Sequence, residues 1–570
     1  MKLTVNEMLQ HAVTIFNEGK TVKAEHLFKN ILQIEPTHPD ANHYLAISLQ
    51  ILGRLEEAVV IYKKTIKLKP EYSSAHQNLG NTLMQLEKFK EAELSYRKAI
   101  ELDPDNVEVH FNLGNNLKNL NKLEEAEISY RKAIGLKPNI AEAHYNLGVI
   151  LQGLGRPEEA EKSYRKAIML KPNIAEAHYN LGITLKQLGR PEEAEKRYRK
   201  AIMLKPDLAE AYYNFGITLK QLGRPEEAEK SYRKAIMLKP DYAEAIYNLG
   251  STLNELGRLQ EAMNNYIKAI ELDPHLPDIN QSLVELLTCY ASQEKDSHPI
   301  VKIDQEIKKI NLKEKTLGII SDDKIIQLFS KSSSIIKEQG LKIGTNLSEV
   351  YRRNSIDLNC KRHLTIFNKF NVIPKFCFGC YKVQVEPRSI LELIKLLVIF
   401  DQIQLVENNT RKCMIETRAE ISGFYKGLIY CSSIEEAYQI ADYLETIVKE
   451  NIRPGLHVVI KRGCSEYAIS FPNYKAINKS GPQLMNYNED WKSIEEDYDS
   501  LNSIKSSRII TPSLSGLNLQ DVLIIRNWID YAKGIGDSSV HLLNENIIFS
   551  PKIHNKAKTR IEKYPWQEFV

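Results

Sequence analysis

Through the first half of the chain, apolar residues recur at three- and four-residue spacing. In AEAHYNLGVILQGLG they are Ala143, Leu147, Ile150, Leu151 and Leu154. That period marks one face of an α-helix. Gly155 follows the last of them and ends the helix. Pro157 opens a second helix, at a position where a missing N–H is tolerated. In RPEEAEKSYRKAIMLKP the apolar stripe is Ala160, Tyr164, Ala167 and Ile168. Pro172 closes it, because the residue before a proline avoids the α region.

This hairpin is one copy of many. Prolines fall every 34 residues from Pro36 to Pro274, and alanines keep the same beat from Ala24 to Ala262. An aromatic ring sits four residues after each alanine, from Phe28 to Tyr266, and a small residue recurs from Ala12 to Gly250. Columns in phase define eight units. Gly148 and Ala160 let paired helices approach while larger side chains fill the remaining space. The pattern resembles the tetratricopeptide repeat (TPR) family over roughly residues 5–276. The resemblance implies an all-α superhelical solenoid that binds a protein or peptide on a concave face lined by the first helix of each unit. A single unit cannot bury its own apolar face, so a cap is expected. PDINQSLVELLTCYASQ supplies one through Ile279, Leu283, Leu286, Leu287 and Tyr290, with Cys289 as a buried small hydrophobe. Array and cap together take residues 5–292.

One column on the first helices carries candidate chemistry: Asn78, Asn112, Asn146, Asn180, Asn214 and Asn248. The first two units have Gln10 and Tyr44 there. An amide both donates and accepts, so a ladder of them can follow an extended backbone whatever its sequence. Tyr145, Tyr179 and Tyr213, one residue earlier, add rings to such a peptide-binding face. The other reading is that each amide bonds the neighbouring unit and supports the stack. The ladder resembles the repeats of O-linked N-acetylglucosamine transferases, which carry a two-lobed catalytic module after the array. The rest of this chain is too short for two such lobes and lacks a Gly-rich phosphate loop, so the resemblance ends with the repeats. The expected function is a protein–protein interaction scaffold. The alternative is an enzyme, transferase-like and glycosyltransferase-related, whose array recruits substrate.

After residue 292 the pattern changes. Residues 293–320 are Lys-rich and read as a linker or partial helix, and an α+β domain is expected over 321–570. A helix is predicted over 321–340, capped by Ser321 or Asp322 and ended by Gly340. YKVQVE reads as a strand, PRSILELIKLLVIFDQ as a helix from Pro387, then RKCMIETR and KGLIYC as strands. A helix capped by Ser432 or Ser433 and the strand LHVVIKRG follow. This βαββαβ order, about 380–472, is that of a ferredoxin-like unit. SEYAISFP adds a candidate strand. A helical tail over 488–570 includes helices at 490–501 and 518–533, with Gly534–Asp537 as a turn and a basic, partly free end from Ser550.

Just before the strands lies Cys360-Lys-Arg-His363, followed by Cys377-Phe-Gly-Cys380. Two pairs with two-residue gaps have the spacing of a tetrahedral zinc site, with Cys360, His363, Cys377 and Cys380 as ligands. An iron–sulfur cluster, a redox dithiol or packed thiols would also use these residue types. Cys413, Cys431 and Cys464 read as core thiols.

Composition narrows the partners. Among 570 residues, 77 basic and 73 acidic side chains leave a net charge of +4, so no nucleic-acid partner is expected. Lys382, Gln384, Lys412 and Met414 stand where an RNA-binding sheet needs rings. Tyr351-Arg-Arg353 with Lys361 and Arg362 is a basic run, read as a solvated face or as an anion or nucleic-acid contact. No apolar run is long enough for a membrane span. Asn6, Glu7 and Gln10 interrupt the start, and seven cysteines are no disulfide framework, so a cytoplasmic, reducing location is expected.

Overall fold

A computed structural model describes residues 4–310, 320–340, 343–352, 360–418, 421, 423–464, 467–478, 483–501, 512–543 and 551–563. The chain forms two compact units, residues 1–218 and 219–570, divided within the helix Ala209–Gln221.

The first unit is a run of antiparallel helix pairs, from Val5–Asn17 with Thr21–Ile34 to Ala175–Gln187 with Pro191–Leu204. Each pair packs on the next. The expected small and aromatic columns meet inside each pair. Tyr62, Tyr96, Tyr130, Tyr164 and Tyr198 are fully buried. A Cβ at Gly148 would lie 2.6 Å from Tyr164 Cε1, so glycine is what lets that ring seat. Gly155 turns the chain at φ +70°, and Glu87 and Asn121 make the same turn at φ 57° in their own units. The ring Nε2 of His76, His110, His144 and His178 lies 2.8–3.0 Å from the carbonyl of Pro70, Pro104, Pro138 and Pro172. That contact ties each first helix to the turn before it.

Closed rings of ion pairs join the second helices across unit junctions. Glu127 pairs with Arg131 at 2.8 Å and Arg156 at 2.6 Å, and Glu159 pairs with the same two at 2.9 and 2.6 Å. Glu161, Arg165, Glu193 and Arg190 repeat the ring. Most members are well exposed, so each pair contributes well under ~1 kcal/mol, and the rings align the units more than they stabilise them.

The second unit holds the last repeat helices, the cap and the α+β region. The cap is the helix Ile279–Leu287, with Ile279, Leu283, Leu286 and Leu287 buried as expected. Cys289 is only half-buried. The helix's final carbonyls are taken up within the unit: Lys308 Nζ donates to Leu287 O at 2.6 Å and Leu514 N to Thr288 O at 2.9 Å. A helix, Pro299–Lys309, fills part of the segment read as a linker, and its Asp304 accepts from Leu519 N at 3.0 Å.

Five strands form one antiparallel sheet in the order β1–β3–β4–β2–β5: β1 Glu349–Arg352, β2 Tyr381–Val385, β3 Arg411–Ile415, β4 Tyr425–Cys431 and β5 Val458–Arg462. Helices Ile390–Gln402 and Ile434–Asn451 connect β2 to β3 and β4 to β5, and both pack on the sheet. The first begins after Ser389 instead of at Pro387, because the Ser389 hydroxyl accepts from Glu392 N. Ser433 caps the second and Ser321 caps the helix Asp322–Glu338.

Strand β1 was not expected, and its cause corrects the reading of the basic run. Arg352 is 2% exposed and ion-paired with Asp521 at 2.7 Å and Asp401 at 3.0 Å. Arg362 pairs with Glu495 and Asp499 of the helix Trp491–Leu501. Arg353 lies outside the described residues. Acidic groups distant in sequence therefore neutralise Arg352 and Arg362, leaving them in neither a solvated face nor an anion contact. SEYAISFP also differs from expectation. Residues 465–466 are outside the described ones, and Tyr467–Ser470 and Pro472–Lys475 are short helices that bury Tyr467 and Tyr474. Helix Leu519–Ile535 is buried along almost its whole length and ends at Gly536 with φ +85°. The basic end is not free over 551–563: it forms the helix Pro551–Lys563, whose Arg560 is buried and donates to Gly423 O at 2.9 Å.

Candidate functional site

The Asn column sits half-buried on the first helices. Its amides bridge unit junctions, and their partners change along the array. Asn112 Nδ2 donates to Asn81 Oδ1 at 3.0 Å and Asn146 Nδ2 to Asn115 Oδ1 at 2.9 Å. The same two carbonyls accept from Tyr96 and Tyr130 hydroxyls at 2.7 Å. Further on, tyrosine replaces that asparagine as acceptor. Asn180 Nδ2 donates to Tyr145 Oη at 3.2 Å and Asn214 Nδ2 to Tyr179 Oη at 3.1 Å. Asn248 Nδ2 donates to Glu244 O of its own helix, and Asn78 is half-buried in the third unit. In the second unit Tyr44 takes the column's position and stacks on Phe28, centroids 5.6 Å apart.

Each junction bond uses one amide hydrogen. An amide has a second N–H and a carbonyl with two lone pairs. Asn146 and Asn180 also bond the Tyr130 and Tyr164 hydroxyls, so part of this capacity is used inside the array. Tyr145, Tyr179 and Tyr213 stand beside them, also half-buried. Burial raises the Tyr145 and Tyr179 hydroxyls above their ordinary range, so they are protonated donors at neutral pH. Lys186 lies on the same helix as Asn180, and its Nζ is 3.4 Å from Asn214 Oδ1. Burial lowers its pKa. The sequence reading missed Asn81 and Asn115. They stand three residues after Asn78 and Asn112, on the same helix face, which was the available signal.

The cysteine-rich segment is spread over two helices and the start of β2. Cys360 and His363 lie in the first turn of a helix, Cys360–Phe370, and His363 stacks on Phe376 with centroids 5.2 Å apart. Cys377 belongs to the short helix Lys375–Phe378, and its Sγ is 3.5 Å from Tyr467 Oη. Cys380 enters β2, and its carbonyl accepts from Gly463 N at 2.7 Å. A side-chain hydrogen bond from Cys464 and burial both raise the Cys360 thiol. Burial pushes Cys377 up to about 12 and raises Cys380. Cys360, Cys377 and Cys380 all feel Cys464. The structure thus gathers Cys464 with them. No group of three or more His, Cys, Asp or Glu side chains placed to hold a metal ion occurs among the described residues. Cys413 and Cys431 are buried as expected.

Among the described residues no helix is long and apolar enough to cross a membrane. Tetratricopeptide repeat models match residues 16–79, 139–207, 174–241 and 243–276, and a TPR repeat model matches 80–120 and 114–155. The first half of the chain is therefore built of tetratricopeptide repeats. No curated protein matches the chain. Similar solved structures include YrrB, described as a TPR protein with an unusual peptide-binding site. It is 27% identical over 33% of this chain and 96% of its own, with a TM-score of 0.31. MamA is 29% identical over 29% of this chain and 97% of its own, with a TM-score of 0.28. PilF of Pseudomonas aeruginosa is 21% identical over 37% of this chain and 97% of its own, with a TM-score of 0.34.

Proposed function

We propose that this tetratricopeptide array serves as an interaction scaffold that grips a polypeptide along the Tyr–Asn face of its first helices. The observation that carries this reading is the bond from Asn180 to Tyr145 and from Asn214 to Tyr179. Each bond fixes a ring and an amide side by side, still half-exposed, at the period of the repeat. A fixed ring supplies contact area with little entropy to lose, and an amide carbonyl, with its two lone pairs, can accept from a peptide N–H beside it. The α+β region follows the array in the chain. Its order β5–β2–β4–β3, with a helix after β2 and after β4, supports reading that part as ferredoxin-like. Such a fold hosts many functions and assigns none.

The test uses the full-length chain and a display library of random peptides. Enriched peptides should bind the wild type and lose most of their binding to the Asn146→Ala/Asn180→Ala/Asn214→Ala variant. Unchanged binding by that variant, or a library that yields no binders, refutes the proposal.

A further inference from the structure

We propose that the ammonium of Lys186 receives a side-chain carboxylate, so that the polypeptide held on the Tyr–Asn face is one carrying Asp or Glu at a fixed place. The assignment rests on the reading that this face grips a polypeptide, and adds what it selects. Tyr179, Ile183 and Lys186 follow at four- and three-residue steps, so they share one face of the helix Ala175–Gln187. Lys186 Nζ reaches towards Asn214 Oδ1, which places it beside the Asn column.

Lysine costs the fold something at this position. One repeat earlier Gln152 stands there, and its Oε1 accepts from the Tyr164 hydroxyl at 2.9 Å. In the second unit Gln50 accepts from Tyr62 at 3.0 Å. An ammonium donates and cannot accept. The equivalent hydroxyl, that of Tyr198, is fully buried and has no hydrogen-bond partner among the described residues. The charge is not answered either. One repeat later Lys220 Nζ lies 3.0 Å from Glu255 and 2.8 Å from Ser251 Oγ. At the same offsets from Lys186 the chain has Gln221 and Ile217, neither of them a carboxylate. The contact to Asn214 is 3.4 Å, long for an N–H···O bond, and its acceptor is neutral. Lys186 is half-buried, and burial alone lowers its pKa. The nearby acids on the first helices already have partners: Glu142 pairs with Lys171 at 2.9 Å and Glu176 with Lys205 at 3.0 Å. A half-buried cation that deprives a buried hydroxyl of its acceptor, and finds no counter-charge in the array, is placed for an anion from outside. Asn214 uses one of its three donors, and a carboxylate can take the others.

The test selects random, unphosphorylated peptides on the full-length chain and sequences those retained. They are displayed as N-terminal fusions, so side chains supply the only carboxylates. On the wild type, Asp and Glu together should rise several-fold over the input at one position of the aligned binders. Lys186→Gln should lose that enrichment and Lys186→Arg should keep it. Lys186→Gln should also melt no lower than the wild type by circular dichroism, since glutamine is what other units use beneath the same ring. Wild-type binders without an acidic position would overturn the proposal and leave the gripping face intact. The same enrichment on Lys186→Gln, or a Lys186→Gln protein that melts well below the wild type, would overturn it too. A library that yields no binders at all would remove both the proposal and the reading beneath it.

Discussion

Removing the Asn214 amide separates its two candidate roles. Its Nδ2 donates to Tyr179 Oη at 3.1 Å and to Glu210 O at 3.1 Å, and its Oδ1 receives Lys186 at 3.4 Å. The bond to Tyr179 is the one that crosses the junction. A half-exposed neutral hydrogen bond contributes about 1 kcal/mol net. Alanine returns roughly 0.6 kcal/mol in helix propensity over asparagine. Asn214→Ala should therefore cost only about 0–1 kcal/mol, and Tyr179→Phe, which removes the hydroxyl alone, about 0.5–1 kcal/mol. If the junction bond is real, the two changes are not additive, and their double variant should show a coupling of about 0.5–1 kcal/mol. Urea unfolding of the full-length proteins by far-ultraviolet circular dichroism, read at the array's own transition, gives these differences. A coupling near zero removes the bond from the account. A loss above about 3 kcal/mol for Asn214→Ala alone would make the column a structural element, and a binding defect in the triple variant could then be no more than unfolding.

Two further predictions concern buried charge. His43 is 5% exposed and packs tilted against Tyr72, centroids 4.6 Å apart, and burial lowers its pKa from 6.5 to about 4. Protonation thus favours the unfolded chain. The His43 contribution is complete above about 6.5 and is lost as pH falls towards 4, by up to ~3 kcal/mol. His43→Leu should flatten that part of the stability–pH curve, and parallel curves for variant and wild type would contradict the assignment. Glu416 is fully buried; burial pushes its carboxyl up, but Arg418 and Lys426, both at 2.8 Å, outweigh that and hold it at about 2. Lys426→Met should cost about 3 kcal/mol by leaving the carboxylate underpaired, and adding Glu416→Gln should recover part of it. A Lys426→Met protein as stable as wild type in urea would show that Arg418 alone suffices.

The repeats were legible because their determinants are local. Pairings such as Gly148 with Tyr164 recur within one unit, and the unit recurs every 34 residues, so the period displays them. The Asn column was legible for the same reason, but its partners were not. Whether Asn146 meets Asn115, or Asn180 meets Tyr145, depends on how one unit seats on the next. The ion-pair rings could have been found from the spacing between Glu127 and Arg156.

In the α+β region local signals placed the strands β2 to β5 and the Ser433 cap. They could not say that Arg352 belongs to Asp521 and Asp401, or that His363 would stack on Phe376. The amino-acid sequence by itself determined the repeating hairpins, their small-to-aromatic fit and the helix caps, since each depends on residues a turn or a hairpin apart. Only the tertiary structure decided which charges are neutralised and which rings stack, because strand pairing and helix packing bring together groups that no spacing along the chain relates.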